Sequence, residues 1–196
     1  MSLLEQAIVF AASAHEGMTR KGSDTPFILH PLEAAAIAAT VSVREEVLAA
    51  AVLHDVVEDT PCTLEEIETH FGREVAGLVS QETENKRPDL PPEATWQLRK
   101  DETIRHLRTS AGYEAKIITL ADKLSNLRSM YRDYQKVGNI LWSRFHQQDP
   151  TRHCWYYYQV GLGLDCFSSY PAMHEYWYLF HQLWPEHPVP VDLSNP

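Results

Sequence analysis

The chain has little of what would mark a disulfide-stapled, membrane-spanning or nucleic-acid-binding protein. Its three cysteines, Cys62, Cys154 and Cys166, form neither a paired framework nor a zinc-type spacing, which fits a reducing cytoplasm. No apolar run reaches the roughly 20 residues that cross a bilayer. The N-terminus lacks a basic stretch followed by an apolar core, the pattern of a secretory signal. Positive charge is scarce: 17 Lys and Arg against 27 Asp and Glu give a formal net charge of −10. That balance argues against non-specific binding to nucleic acid or to anionic membranes. A small anionic ligand stays open, because a few local cations can line a pocket. Only 8 glycines among 196 residues, with 44% hydrophobic content, exclude low-complexity disorder. Sustained alternation of period two is absent as well. An all-α intracellular protein remains, with one domain over 1–185 and an extended, flexible tail over 186–196.

The helical period is what is present. Residues 3–16 carry apolar positions at Leu4, Ala7, Ile8, Ala11 and Ala12, and Gly17 then stops the helix. A polar loop holding Arg20 and Lys21 follows. Pro31 suits a first helical residue, with His30 just before it and the helix running to about Thr40. A second apolar run from about Arg44 to Val57 ends in acidic residues. Thr63-Leu-Glu-Glu has a capping-box pattern that starts a helix to Phe71-Gly72, with another from Arg73 to about Thr83. Prolines make 84–92 a loop. Helices are then predicted over Glu93–Thr109, broken at Ala111-Gly112, over Tyr113–Tyr134, and near 150–167 and 171–184.

The stretch Ala49-Ala-Ala-Val-Leu-His-Asp-Val-Val-Glu-Asp-Thr60 carries the chemistry. At helical spacing Glu58 shares a face with His54, and Asp59 with Asp55. An imidazole beside so many carboxylates is costly to bury unless a cation or hydrogen bonds compensate it. With His30 before one helix and Asp122 on a later one, two imidazoles and two carboxylates come from three elements. That mixed nitrogen and oxygen set suits a first-row divalent ion such as Mn²⁺ or Fe²⁺, and the lack of thiolates speaks against structural zinc. Carboxylates at a helix C-terminus oppose the macrodipole, so a purely structural role for Glu58 and Asp59 is less attractive.

Four segments together resemble the HD-domain hydrolases of the RelA/SpoT-homologue family, of the single-domain small alarmone hydrolase type. They are Ala14-His15-Glu-Gly with Arg20-Lys21; Pro26-Phe-Ile-Leu-His30-Pro31; His54-Asp-Val-Val-Glu-Asp-Thr60; and Leu120-Ala-Asp-Lys-Leu-Ser-Asn-Leu-Arg128. The resemblance implies a helical bundle of about eight to ten helices, bound Mn²⁺, and removal of the 3′-pyrophosphate from guanosine tetra- and pentaphosphate. By matching motif it implies His30, His54, Asp55 and Asp122 as metal ligands and Glu58 and Asp59 as the pair that handles the attacking water. Arg20, Lys21, Asn126 and Arg128 match substrate-binding positions, and Arg152 and Tyr156 resemble an Arg and a Tyr that hold phosphates and sugar. Ser125 stands where many relatives have His or Tyr, which points to tuning of base preference. His15 is expected to brace the metal helix from the first helix, while His174 and His181 are expected to pack. Competing readings are a related nucleotide substrate (an adenosine alarmone, or the 2′-phosphate of NADPH) and a non-catalytic nucleotide-binding or antitoxin-like protein.

Overall fold

The computed structural model describes residues 1–87 and 89–187, so the expected tail beyond 187 lies outside the described residues. The chain is all-α: nine α-helices and two short 3-10 stretches occur among the described residues. The only extended pairing among the described residues is an isolated bridge between Thr19 and Pro26. No helix among these residues is long and apolar enough to cross a membrane. The chain divides into two compact units, Met1–Glu84 with Ala111–Ser125, and Asn85–Ser110 with Asn126–Pro196.

In the first unit α3 (Glu45–Leu53) is the central element. Val47 and the run Ala49–Leu53 are wholly buried, as expected of a helix apolar on every side. The small alanines let α1 (Leu3–Ala14), α2 (Leu29–Ala38) and α5 (Leu64–Glu82) pack against it. Ser2 and Glu5 form a capping box on α1, and Thr63 and Glu66 form the expected one on α5. Gly72, at φ +85°, kinks α5 where two helices were predicted to meet. That left-handed conformation suits glycine, which has no Cβ to clash.

Two boundaries differ from expectation. Helix α2 starts at Leu29, so His30 lies inside it and Pro31 is its third residue rather than its first. The proline is tolerated because first-turn N–H groups have no intrahelical partner. The run expected to continue from Arg44 to Val57 breaks at His54-Asp55, and a one-turn helix α4 (Val56–Asp59) follows. His54 and Glu58 therefore do not share a face of one continuous helix.

In the second unit α8 (Pro150–Gly163) packs on α6 (Pro92–Thr109) and on α9 (Pro171–Leu183). Its two glycines mark the close approaches. A Cβ on Gly161 would come within 2.5 Å of the Trp177 ring, and one on Gly163 within 2.7 Å of Leu107. The aromatic richness of this region is core: Trp184 meets Trp142, Tyr157 and Phe180 with ring centres 5.2–5.8 Å apart. Helix α7 runs over Tyr113–Val137, a turn beyond its predicted end, and a 3-10 stretch over Gly138–Arg144 was not anticipated.

Candidate metal centre

All four expected ligand side chains meet within the first unit. His30 comes from α2, His54 caps the C-terminus of α3, Asp55 stands at the N-cap of α4, and Asp122 lies on α7. One ring nitrogen of each histidine and one oxygen of Asp122 all lie within 4.8 Å of one another. His30 Nε2 is 3.4 Å from Asp55 Oδ2 and 3.1 Å from Asp122 Oδ1. His54 Nε2 is 3.2 Å from Asp55 Oδ2 and 3.7 Å from Asp122 Oδ1. The helix break creates this focus. Turning the chain between Leu53 and Val56 sets His54 toward Asp122 and Asp55 toward His30.

His54 Nε2 is buried and makes no hydrogen bond of good geometry despite these carboxylates. Burial alone would lower the His54 imidazole, yet Asp55 and Asp122 overcome it and hold it well above its ordinary value. Burial likewise pushes the carboxyls of Asp55 and Asp122 up. The imidazoles beside Asp55, and Lys123 with the imidazoles beside Asp122, more than reverse this, so both end well below the usual carboxylate range. The cluster thus holds ionised carboxylates around buried imidazole nitrogens. An orphaned buried nitrogen in a wholly nitrogen and oxygen donor set fits a divalent cation.

The surrounding side chains orient the four. His54 Nδ1–H donates to the Ala51 carbonyl at 2.8 Å, and Lys123 Nζ pairs with Asp122 Oδ2. The Ser125 hydroxyl lies 2.9 Å from His30 Nδ1 and donates to Glu33 Oε2 at 2.7 Å. Ser125 is 1% exposed, and its hydroxyl is engaged by His30 and Glu33. His15 caps the C-terminus of α1, and its ring meets Phe27, which in turn meets His30, with centres 4.7 Å and then 6.0 Å apart. Sequence reasoning missed Glu33, Lys123 and Ser125 as partners of the cluster. Helical spacing offered a faint sign, since Glu33 and Ser125 each lie three residues beyond a cluster member.

Glu58 and Asp59 occupy the single turn of α4, half-buried, and are not among the converging atoms. Glu58 Oε2 accepts the Glu84 backbone N–H at 3.3 Å. Arg20 lies in a turn closed by its own N–H to the Thr25 carbonyl at 2.9 Å, with its guanidinium 5.6 Å from the Phe27 ring centre. Lys21 beside it is exposed. Asn126, Arg128, Arg152 and Tyr156 belong to the second unit. There Arg128 forks onto the Glu175 carboxylate with two bonds of 2.7 Å. Arg152 is exposed and reaches Gln97 at 3.3 Å, while Tyr156 is buried beneath Lys100 Nζ, 4.7 Å from its ring centre.

One unpredicted acid joins the first unit's centre. Thr119 Oγ1 donates to Glu82 Oε1 at 2.7 Å. Burial lifts the Glu82 carboxyl to about 7, against the pull of Lys123 and the Thr119 bond, with Asp122 adding to the rise. The folded protein then keeps a proton that the unfolded chain releases near 4.5. Its stabilising contribution is complete below that pH and is lost as pH rises through about 7. In metal-free protein, Glu82→Gln is expected to flatten the fall of Tm across that window. Equal slopes in both proteins would show a carboxyl already ionised throughout.

Comparison with known proteins gives the following likenesses. The sequence profile described as HD domain matches residues 7–146. Over 134 residues the chain is 40% identical to the guanosine-3′,5′-bis(diphosphate) 3′-pyrophosphohydrolase MESH1 of Xenopus tropicalis, covering 67% of this chain and 71% of that protein. It is 36% identical over 131 residues to the GTP pyrophosphokinase rsh of Brucella ovis, covering 66% of this chain. The chain spans only 17% of the length of that Brucella protein. A solved structure, described as a metazoan ortholog of SpoT that hydrolyzes ppGpp and plays a role in starvation responses, matches with a TM-score of 0.74. Its identity is 29%, over 93% of this chain and 96% of that one.

Proposed function

The chain belongs to the HD-domain family, and from that premise we propose that it is a metal-dependent hydrolase of guanosine tetra- and pentaphosphate, releasing the 3′-pyrophosphate. The observation that carries the reading is the convergence of His30, His54 and Asp122 on one buried focus, with Asp55 Oδ2 against both imidazoles. These four residues are the proposed holders of a divalent cation, Mn²⁺ in this reading. When bound, such an ion supplies Lewis acidity to the attacking water and to the phosphoryl oxygens.

The remaining steps fall to the chain's own groups. A carboxylate of the Glu58-Asp59 pair takes a proton from the attacking water, as a general base within reach of the reaction does. Water oxygen joins the phosphorus as the bond from that phosphorus to the 3′-oxygen breaks, and the departing 3′-oxygen takes a proton from solvent, leaving GDP or GTP and pyrophosphate. Arg20 and Lys21 bind phosphate oxygens, and the planar Arg20 guanidinium can also cover a base. Asn126, Arg128, Arg152 and Tyr156 are kept as substrate-binding residues by the resemblance alone. The three free cysteines suit a reducing compartment, and a cytoplasmic location is part of the proposal.

The test is product analysis on a nucleotide panel with purified protein and Mn²⁺. Guanosine tetraphosphate is expected to give GDP and pyrophosphate, and a chelator should stop the reaction. Arg20→Ala should raise KM about tenfold or more with a smaller change in kcat, as expected for one lost charge-assisted contact made in the ground state. Consumption of the adenosine counterpart or of NADPH, with guanosine tetraphosphate untouched, would overturn the substrate and leave the hydrolase. Binding without turnover of any of them would favour a non-catalytic protein.

A further inference from the structure

The two buried histidines of the centre are held in different ways. Both direct Nε2 at Asp55 and Asp122, so each must carry its proton on Nδ1 if Nε2 is to offer a lone pair to a cation. His54 meets this requirement through its own helix, by the bond to Ala51 three residues earlier. His30 has no such carbonyl. The Phe27 carbonyl three residues before it takes the His30 backbone N–H instead, at 2.9 Å. Its Nδ1 faces the hydroxyl of Ser125, which lies 95 residues away in the chain.

A serine hydroxyl has one proton to give, and a carboxylate can only accept. Ser125 gives its proton to Glu33 Oε2. The hydroxyl oxygen therefore has only lone pairs to offer His30, and Nδ1 must be the donor. The direction of the bond between Ser125 and Glu33 thus decides which nitrogen of His30 is free. We propose that Glu33 and Ser125 act together as positioning residues that lock His30 in the tautomer presenting the Nε2 lone pair to the divalent cation. This rests on the metal reading above and deepens it. Side chains that fix a ligating histidine in this way contribute about 10- to 100-fold to metal affinity.

Two readouts on the full chain test the proposal: calorimetric titration with MnCl₂, and imidazole nitrogen resonances of the metal-free protein, with His30 assigned by substitution. Ser125→Ala is expected to weaken Mn²⁺ binding about 10- to 100-fold and to remove the hydrogen-bonded Nδ1–H signal of His30. Ser125→Thr, which keeps the hydroxyl, should retain affinity within about threefold of the unaltered chain. Glu33→Ala, at a half-buried position where folding is at less risk, leaves the hydroxyl undirected and should lose affinity by about threefold to tenfold. If the unaltered chain binds Mn²⁺ and Ser125→Ala binds it equally well with His30 still protonated on Nδ1, the relay is overturned and the metal reading stands. If the unaltered chain binds no Mn²⁺, the metal reading falls and the relay with it.

Discussion

Asp55→Ala is expected to abolish stoichiometric Mn²⁺ binding and to lower turnover by about three powers of ten, while the helix content stays near that of the unaltered chain. The size follows from the several kcal/mol that a bound cation contributes to a phosphoryl-transfer transition state, each 1.36 kcal/mol being tenfold in rate. The selectivity for function over folding follows from where Asp55 sits. It occupies the N-cap of α4, yet its side chain caps no backbone N–H. Its contacts run to the imidazoles of His30 and His54, at 3.4 and 3.2 Å. Truncating it removes an oxygen donor from the focus and takes no hydrogen bond from a helix end. Metal analysis after dialysis against Mn²⁺, alongside far-ultraviolet circular dichroism, reads both halves. A variant that still holds one Mn²⁺ per chain and turns over normally would remove Asp55 from the ligand set.

Glu58→Gln is expected to spare binding and still to lower the rate. It should keep its Mn²⁺ and lose activity by about a hundredfold or more, the usual contribution of a positioned general base. Glutamine retains the length of glutamate and an oxygen able to accept the Glu84 N–H, so the local bond at 3.3 Å survives. Only the capacity to take a proton is lost. Because Asp55 stands against the imidazoles of His30 and His54 while Glu58 is proposed to handle the water, metal content and catalysis should separate here, whereas Asp55→Ala couples them. If Glu58→Gln alone turns over normally, the double variant with Asp59→Asn decides the matter. Near-normal turnover of that protein would place the base elsewhere.

Much of this was legible in the sequence, and the rest was hidden for physical reasons. Thr63 and Glu66 announced a capping box because the motif is local, and Gly72 announced a break because glycine alone adopts φ +85° without strain. The break at His54-Asp55 carries no glycine or proline. Asp55, at φ −92° and ψ −8°, leaves helical geometry by only a few tens of degrees, and no residue type signals so small a turn. The start of α2 was misread because proline is favoured at the first helical position and yet accepted two residues later. The four cluster residues could be named from motifs, but their partners could not. That Ser125 answers His30 depends on the packing of α7 against a helix 95 residues away, which no local pattern records.

The tie between His54 and Ala51 has a bearing on how the centre changes under mutation. A carbonyl belongs to every amino acid, so the group holding that imidazole persists whatever side chain occupies position 51, provided α3 keeps its turn. His30 leans instead on the side chains of positions 33 and 125, either of which one nucleotide change can erase. Random variation therefore reaches the orientation of one imidazole and is screened from the other. Heritable differences in ion affinity among descendants of this chain would accumulate on the side of α2 and α7, with the end of α3 as the invariant half of the pair.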